Sequence, residues 1–539
     1  MKSLEAYLET AGQMVQQDAQ KNRMQQAMEA MWQSRWNLPE EIAGLRWMHK
    51  VVSTDPHDAL RAGVRVLSSA APRIKVLPVG LGAGSDMQAD LVERALGWLF
   101  HLANRRRQAS VLRDIVLSAL LYDEVVAQVV YLPQQIQAVR AAGGDVTRLS
   151  AAERSGAFAI LVRSPRQVHV RYSDWMAEAV LLRRVMPVSD VVAFWGKHAR
   201  SIEQRLGERG GEDLRYATLY DYIDHENRVV WAFLHEDQSA VLPAAGLDGS
   251  ARPFEIVRQA HGLGFLPWVA RVGGTTLVQD PAHQRVPLLY SVYQSGQWET
   301  QNILETLLTS EVIAYAAAPR LKVEGVTDHV EVDYGEPGRM AFVPPGHKLE
   351  PMDAPGLDAS LSTIADRVAK RIDKSTVPRV LQTGDYPAGM AFATLNLATQ
   401  SGLKSLAPYK DLAEQALAGI FTQMLNWIAF DGRPVLAYHQ GRTESGERVV
   451  LDPADVDPGQ LYLEVELSAD IPADRASRIE AAATAVRELG YSRTRALEFI
   501  GESDPSVILE EARRERLEQA RFEEQMGEIR RRNSGIEEG

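Results

Sequence analysis

The sequence contains no cysteine among its 539 residues. Disulfide bonds, thiolate zinc sites and cysteine nucleophiles are therefore excluded. A large chain without cysteine is expected to fold in a reducing cytoplasm, by burial of its apolar side chains alone.

The sequence also lacks an apolar run long enough to span a membrane. Its longest apolar stretch, residues 115–132, includes Asp123, Glu124 and Gln128, so it is too polar and too short to cross a bilayer unaided. The N-terminal segment has no apolar core of signal-peptide length. We therefore expect a protein without a membrane partner.

Positive charge is not in excess. The chain has 59 Lys+Arg against 71 Asp+Glu, a formal net charge of −12. This balance argues against tight, sequence-independent binding to nucleic acid, which depends on neutralising phosphates, but it does not exclude a protein past which DNA slides. A hydrophobic content of 45% with 24% charged residues is typical of globular proteins. The length predicts about three or four domains.

Two glycine-containing segments come close to nucleotide-binding motifs without matching them. Residues 80–85 place Ser85 where the third glycine of a dinucleotide-binding loop belongs, and no βαβ unit with a ribose-binding acid follows. Residues 401–405 lack the first glycine and the Gly-Lys-Ser of a phosphate-binding loop, and they lie within a predicted helix. Neither segment is expected to bind a nucleotide.

Catalytic and metal-binding motifs are also missing. No serine-nucleophile elbow, zinc-protease helix or calcium-binding loop occurs in the sequence. His225 and His235 lie on adjacent predicted strands and could share a metal, but histidines in such places are far more often structural. Because no residue is singled out as an acid, base or nucleophile, we expect a structural or binding protein: not an enzyme, with no cofactor and no metal.

The periodicity of apolar residues predicts an α+β fold that is mainly helical. Helices are predicted over 1–35 (one or two helices), 55–69, 86–132, 288–318, 361–375, 390–430 (with a kink at 401–402 and 408) and 473–532. Strands are predicted over 73–79, 168–172, 179–185, 216–223, 228–234, 320–326, 329–334, 340–343, 435–439, 448–451 and 461–467. A turn at 224–227 predicts that the strands on either side of it pair as a hairpin.

The helix predicted over 361–375 carries an apolar stripe and a basic stripe. The apolar stripe comprises Leu361, Ile364, Ala365, Val368 and Ile372. The basic stripe beside it comprises Arg367, Lys370, Arg371 and Lys374, and Asp366 and Asp373 lie on the other flank. A helix with opposite charges on its two sides suits packing against copies of itself around a ring. The same pattern also fits a solvated amphipathic helix.

Several local sequences resemble the portal protein of tailed double-stranded DNA bacteriophages. Pro56-His57-Asp58 with residues 72–76 is similar to the opening of such chains. Residues 264–269 followed by 287–291 resemble the region where their first stem helix begins. Ser401-Gly402 and 408–410 resemble segments of their long helix after the tunnel loop.

The resemblance implies a ring, usually of twelve subunits, with a central channel at one capsid vertex. Its implied regions are 1–287 (N-terminal helices and α/β wing), 288–318 (stem helix 1), 319–355 (clip, a small β module), 356–376 (stem helix 2), 377–390 (tunnel loop region), 391–470 (long kinked wing helix and β segment) and 471–539 (helical crown and C-terminal tail). The tunnel loop itself would comprise Gln382, Thr383, Gly384, Asp385, Tyr386, Pro387, Ala388 and Gly389.

The resemblance also implies the partners of such a ring. They are other copies of the chain, double-stranded DNA in the channel, the large terminase subunit, a head-tail adaptor, and the major capsid or a scaffolding protein. The protein would assemble in the host cytoplasm and end in the virion. The sequence leaves two other interpretations of the function open. The protein could be another oligomeric virion component, such as an adaptor or minor capsid protein, or an enzyme with an unrecognised active site.

The role of the basic stripe is open at this stage. Arg367, Lys370, Arg371 and Lys374 could form rings that centre the duplex in the channel. They could equally form salt bridges between subunits with Asp366, Asp373 or Glu311.

Overall fold

The fold is given by a computed structural model of the chain. It describes residues 2–43, 48–79, 85–106, 110–153, 156–173, 176–200, 202, 204, 215–235, 253–274, 284–317, 321–324, 348–351, 359–377, 392–439, 447–467, 472–500 and 505–534. Most of these residues are helical and the others include five small sheets, which confirms the predicted α+β class. The predicted strands 329–334 and 340–343 and the eight tunnel-loop residues 382–389 lie outside the described residues.

Helices occur in each region where the sequence predicted them, and also over 40–43, 132–141, 147–153 and 188–195, where none was predicted. They are α1 (Leu4–Gln17), α2 (Ala19–Trp32), α3 (Glu40–Ala43), α4 (Asp55–Leu67), α5 (Ser85–Arg106), α6 (Val111–Tyr122), α7 (Leu132–Ala141), α8 (Thr147–Glu153), α9 (Val188–Trp195), α10 (Tyr290–Gln294), α11 (Gln297–Ala317), α12 (Ala359–Ser375), α13 (Phe392–Asp431), α14 (Pro472–Glu488), α15 (Arg493–Ile500) and α16 (Pro505–Ser534). Within the described ranges no helix is long and apolar enough to cross a bilayer.

The strands form five antiparallel sheets. They are β1 (Arg73–Pro78), β2 (Glu124–Tyr131), β3 (Phe158–Arg163), β4 (Val168–Ser173), β5 (Met176–Pro187), β6 (Tyr216–Asp224), β7 (Asn227–His235), β8 (Phe254–Ala260), β9 (Trp268–Val272), β10 (Leu321–Glu324), β11 (Lys348–Pro351), β12 (Val435–His439), β13 (Glu447–Leu451) and β14 (Leu461–Glu466). The sheet orders are β4-β5-β6-β7-β8, β3-β2-β9, β1-β14, β10-β11 and β12-β13.

The predicted hairpin between β6 and β7 is confirmed. These strands pair from Tyr216 opposite His235 to Ile223 opposite Arg228. In the turn, one carboxylate oxygen of Asp224 accepts the backbone N–H groups of Glu226 and Asn227. Asp224 thus caps the turn, a role that this side chain commonly has in turns.

The largest core joins segments that are far apart in the sequence. It runs from Met24 in α2 to Leu467 just beyond β14, with α13 contributing Ile420 and Phe421, both completely buried. Gly419 lets α13 lie against β9, because a Cβ there would be only 2.8 Å from the side chain of Val269. Side chains from residues 1–287 and 391–470 therefore contribute to the same core.

The predicted helix over 86–132 is wrong in its last part. Asp123 adopts a left-handed conformation (φ 52°) at the end of α6, and the chain then continues as β2. β2 is the central strand of its sheet and pairs with both β3 and β9. Its sequence, EVVAQVVY, is rich in β-branched residues, which favours a buried strand.

The predicted first stem helix over 288–318 is interrupted near its start. The chain forms the short α10, and Gly296 then takes a positive φ of 62° before α11 begins at Gln297. A residue with this φ ends a helix, and glycine adopts it without steric cost. The second predicted helix, 361–375, is confirmed as α12.

Candidate functional site: the helix pair and its buried anchor

The helices α11 and α12, which we call the helix pair, pack against each other. The chain leaves α11 towards β10, and it returns through β11, which pairs antiparallel with β10, before α12 begins. The structure therefore places a two-stranded β element between the helices; β10 lies within the predicted strand 320–326, whereas no strand was predicted for β11. Most of the predicted clip, residues 319–355, lies outside the described residues.

The buried side of α12 corresponds in part to the predicted apolar stripe. Val368 and Ile372 are buried, and Thr376 and Val377 extend this buried surface beyond the end of the helix. Ile364, predicted to belong to the same stripe, is instead 42% exposed. The buried stripe is therefore narrower than the sequence pattern suggested.

The four cations of the predicted stripe, which we call the basic face, are all exposed: Arg367, Lys370, Arg371 and Lys374. At about 100° per residue, their mean direction is roughly 130° around the helix axis from the buried residues Val368 and Ile372. The basic face therefore points away from the chain's own core rather than lying beside its buried side.

The three acids predicted to pair with the basic face differ in exposure and lie on two helices. Asp366 is exposed, Asp373 is half-buried, and Glu311 is half-buried on α11. Among the described residues, no salt bridge joins the basic face to Asp366 or Glu311. The proposed salt bridges between subunits involving these residues stay a prediction.

A polar cleft of about 840 Å³ lies on the flank of α12. It is bordered by α12, α4 and the first turn of α6, and it is lined by both acids and arginines: Asp55, Asp58, Arg61, Arg65, Arg113 and Asp373, with Ala62, Val64, Ser68, Ser69 and Ala369. Sequence reasoning missed the three arginines, because they come from two segments that only the fold brings beside α12.

The chain leading into the helix pair is held by a group of buried charges, which we call the buried anchor. The guanidinium of Arg285 donates to both carboxylate oxygens of Glu124, at 2.8 and 3.1 Å. The Lys21 ammonium lies 3.6 Å from the same carboxylate. Glu124, Arg285 and Lys21 are between 0% and 3% exposed, so these charges depend on one another rather than on water.

Neighbouring hydrogen bonds fix the backbone after Arg285. The N–H of Val286 donates to the carboxylate of Asp123 at 2.9 Å, and the Val286 carbonyl accepts from the Tyr409 hydroxyl at 2.8 Å. Leu288 then donates its N–H to the carbonyl of Leu120 at 2.9 Å. The segment before α10 is thus attached to α6, β2 and α13 at once.

The anchor extends to the N-terminal helices and the five-stranded sheet. The Asp18 carboxylate lies 2.8 Å from the Lys21 ammonium and 2.8 Å from Nδ1 of His169 on β4. Burial alone would raise the pKa of Asp18, but Lys21 and His169 outweigh it and lower the pKa. For His169 burial dominates and lowers the pKa, although Asp18 opposes this effect.

The histidines considered as metal ligands lie at opposite ends of β7. His235 hydrogen-bonds through Nε2 to the Thr218 hydroxyl and stacks on Tyr216, whereas His225 lies in the turn before β7. Nine strand residues span about 30 Å, so the idea of a shared metal is wrong. Among the described residues, no group of three or more histidines and acids could hold a metal ion.

Comparison with known proteins gave matches only among solved structures. No family model matches the chain, and no curated protein matches it. A chain in the neck of an empty gene transfer agent (GTA) particle, computed with C6 symmetry, is 12% identical, covers 86% of this chain and 94% of its own, and has a TM-score of 0.41.

Two further structures give similar values. A chain in the neck of the native GTA particle, computed with C12 symmetry, is 12% identical over 87% of this chain and 94% of its own, with a TM-score of 0.35. A chain of the virion of the native GTA particle is 11% identical over 86% and 94%, with a TM-score of 0.36. A likeness of this size establishes neither a family nor a function.

Proposed function

We propose that the chain is a structural subunit of a virion ring at the junction of head and tail. More specifically, we propose that the ring is the portal through which double-stranded DNA is packaged and ejected. The observation that carries the proposal is the helix pair, on which a basic face and several large apolar side chains are exposed.

The apolar side chains point to contacts between copies. Val312 and Ile313 near the end of α11 are 49% and 37% exposed, and Ile364 near the start of α12 is 42% exposed. Large exposed apolar side chains on one structural element are typical of interaction surfaces. A neighbouring helix pair would cover them, and such head-to-tail contacts close into a ring when the rotation between copies allows it.

The charge distribution suits a conduit for DNA. A ring of about twelve chains would carry a net charge of roughly −144, so its overall field would repel the duplex. Each cation held on a phosphate adds affinity through counterion release, and strong affinity would slow translocation. A few basic rings formed by the basic face would centre the duplex while the net field prevents its capture.

The other regions take the roles that the sequence resemblance implies. Residues 1–287 and 391–470 form the wing, 319–355 the clip, 377–390 the tunnel loop region and 471–539 the crown with its tail. The clip meets the large terminase subunit during packaging and the head-tail adaptor afterwards, and the wing meets the capsid or scaffolding protein. ATP hydrolysis belongs to the terminase, so the chain itself is not an enzyme and needs no cofactor.

Mass photometry of the purified full chain tests the proposal. We expect particles of about twelve times 59.7 kDa, with an axial hole in negative-stain images. A stable monomer or dimer would argue against a ring and favour an enzyme. Closed rings without an axial opening would favour another virion component, such as an adaptor.

Two variants test whether the exposed apolar residues form the contact. I364D should reduce ring formation strongly, because it places a carboxylate in an apolar interface. The matched control M87D changes a residue on α5 that is 79% exposed, and it should assemble like the wild type. If I364D assembles as well as M87D, Ile364 does not lie in the contact between subunits.

A further inference from the structure

The segment immediately before α4, residues 48–54, belongs to no helix or strand and lies along α11; we call this segment the strap. The N–H groups of His49, Val51 and Ser53 donate to side-chain oxygens of α11. The acceptors are Ser310 Oγ at 2.7 Å, Thr306 Oγ1 at 3.1 Å and Asn302 Oδ1 at 2.7 Å, in that order.

Two side chains of α11 also bind carbonyl groups of the strap. The Thr306 hydroxyl lies 3.3 Å from the carbonyl oxygen of Val51 and donates to it, and the Trp298 indole N–H donates to the Ser53 carbonyl at 3.1 Å. Every one of these contacts is to the strap backbone. The site therefore recognises an extended polypeptide rather than particular side chains.

The spacing explains why a helix can bind an extended chain in this way. Trp298, Asn302, Thr306 and Ser310 are four residues apart, so each step along α11 is about 6.0 Å. Alternate residues of an extended chain point to the same side and are about 6.6 Å apart. The two repeats agree closely enough for three consecutive pairs to form.

Burial makes these pairs necessary. The side chains of Asn302, Thr306 and Ser310 are all completely buried. A buried polar group without a partner costs roughly 1–3 kcal/mol, and the strap supplies partners for Asn302 Oδ1, Thr306 Oγ1 and Ser310 Oγ, although Asn302 Nδ2 has none among the described residues. A shift of α11 by one residue would place Ile303 or Leu307 opposite the strap, and a shift by one turn would leave one end of the row unpaired.

We infer that Asn302, Thr306 and Ser310 form a backbone-binding site on α11 that fixes the position of this helix along its own axis. The strap continues directly into α4, and α12 also packs on α4. The positions of α11 and α12 are therefore both set relative to α4. The three residues are positioning residues for the helix pair; their importance for a pore rests on the proposed function, whereas the register itself does not.

Residue-resolved hydrogen exchange of the purified full chain tests the register. In the wild type, the amides of His49, Val51 and Ser53 should exchange more slowly than those of Lys50 and Val52. T306V, which replaces the hydroxyl with a methyl group of similar size, should speed exchange at Val51 at least tenfold. T306S keeps the hydroxyl and should restore protection.

Thr309 provides a matched control on the same helix. It is half-buried, lies outside the row, and has no side-chain hydrogen bond shown among the described residues, so T309V should leave the strap amides unchanged. Equal exchange at odd and even strap residues in the wild type would overturn the backbone-binding site. So would a T306V protein that exchanges like T309V.

A distance measurement tests the positioning role separately. Because the chain has no cysteine, spin labels can be attached only at introduced cysteines, here M87C and V312C, both at exposed positions. Adding T306V and S310A should broaden or shift the distance distribution, whereas adding T309V should not. If the distance distribution is unchanged although the strap amides exchange faster, Asn302, Thr306 and Ser310 do not position α11. If the wild type fails to form rings, that result counts against the proposed function alone.

Discussion

Arg285 and Glu124 form a two-point ion pair in the protein interior, although they lie 161 positions apart in the sequence. Glu124 is completely buried and Arg285 is 3% exposed. Burial opposes the charge of Arg285, but Glu124 outweighs this effect and raises its pKa. The pair attaches the segment before α10 to the first residue of β2, and so connects the helix pair to the centre of a sheet.

Removing one member of this pair should be costly. R285M leaves the Glu124 carboxylate without its main partner, and loss of one member of a buried pair typically costs about 3–5 kcal/mol. We expect a markedly lower thermal midpoint by calorimetry. The double variant E124L/R285M removes both charges and should recover much of the loss; if it is no more stable than R285M, shape rather than charge determines the effect.

Stability should depend on pH through Asp123. Burial raises the pKa of Asp123 to about 7; Glu124 adds to this effect, while the Val286 N–H and Arg285 oppose it. The folded state therefore holds this proton more tightly than the unfolded chain, whose aspartate pKa is about 3.9. The contribution of this proton to the free energy of unfolding is fully present below about pH 4. It is lost as the pH rises through 7, and the free energy of unfolding falls by up to about 1.4 kcal/mol per pH unit.

D123N isolates this contribution. The amide has no charge at any pH and its oxygen can still accept the Val286 N–H. Between pH 5 and pH 8 the thermal midpoint of the wild type should fall relative to that of D123N. Parallel profiles would show that Asp123 does not titrate in this range.

Reversal of charge on the basic face should separate its two candidate roles. R371E/K374E should prevent ring assembly if the face meets a neighbouring subunit, or leave rings intact but weaken DNA packaging if the face lines the channel. Native electrophoresis and a DNA-protection assay distinguish these results. R140E/K197E, a change of equal charge at exposed positions on α7 and just after α9, serves as the control; wild-type behaviour of R371E/K374E in both assays would exclude both roles.

The predicted tunnel loop can be tested by deletion. Removing residues 382–389 should leave ring assembly unchanged, because the loop is proposed to project into the channel. Retention or translocation of DNA should be impaired. A loss of rings, measured by mass photometry, would mean that these residues support the subunit contacts instead.

Elements with a strong local pattern were predictable from the sequence. The hairpin of β6 and β7 follows from two alternating runs around an Asp-His-Glu-Asn turn, and α12 follows from its apolar period. The sequence predicted a helix where β2 lies, because the periodicity of a continuous apolar run does not distinguish a buried strand from a buried helix. Its identity depends on pairing with β3 and β9, which lie in other parts of the chain.

The site was predictable only in part. The basic face was recognisable because its four cations lie on one helix, whose spacing alone brings them together. The buried anchor was not, since Lys21, Glu124 and Arg285 have no common local pattern. A signal for the strap site did exist: three small polar residues, Asn302, Thr306 and Ser310, recur every four positions on a helix that otherwise includes many apolar residues.

The sequence by itself determined the elements whose stabilising contacts are local: helix spacing, turn chemistry and the charge pattern of α12. Only the tertiary structure decided which of these elements share a core and which buried charges meet. It also decided that the polar row on α11 binds the strap. The reason is physical: a helix or turn forms through contacts a few residues apart, whereas a buried polar group takes as its partner whatever group the packed chain brings within hydrogen-bonding distance.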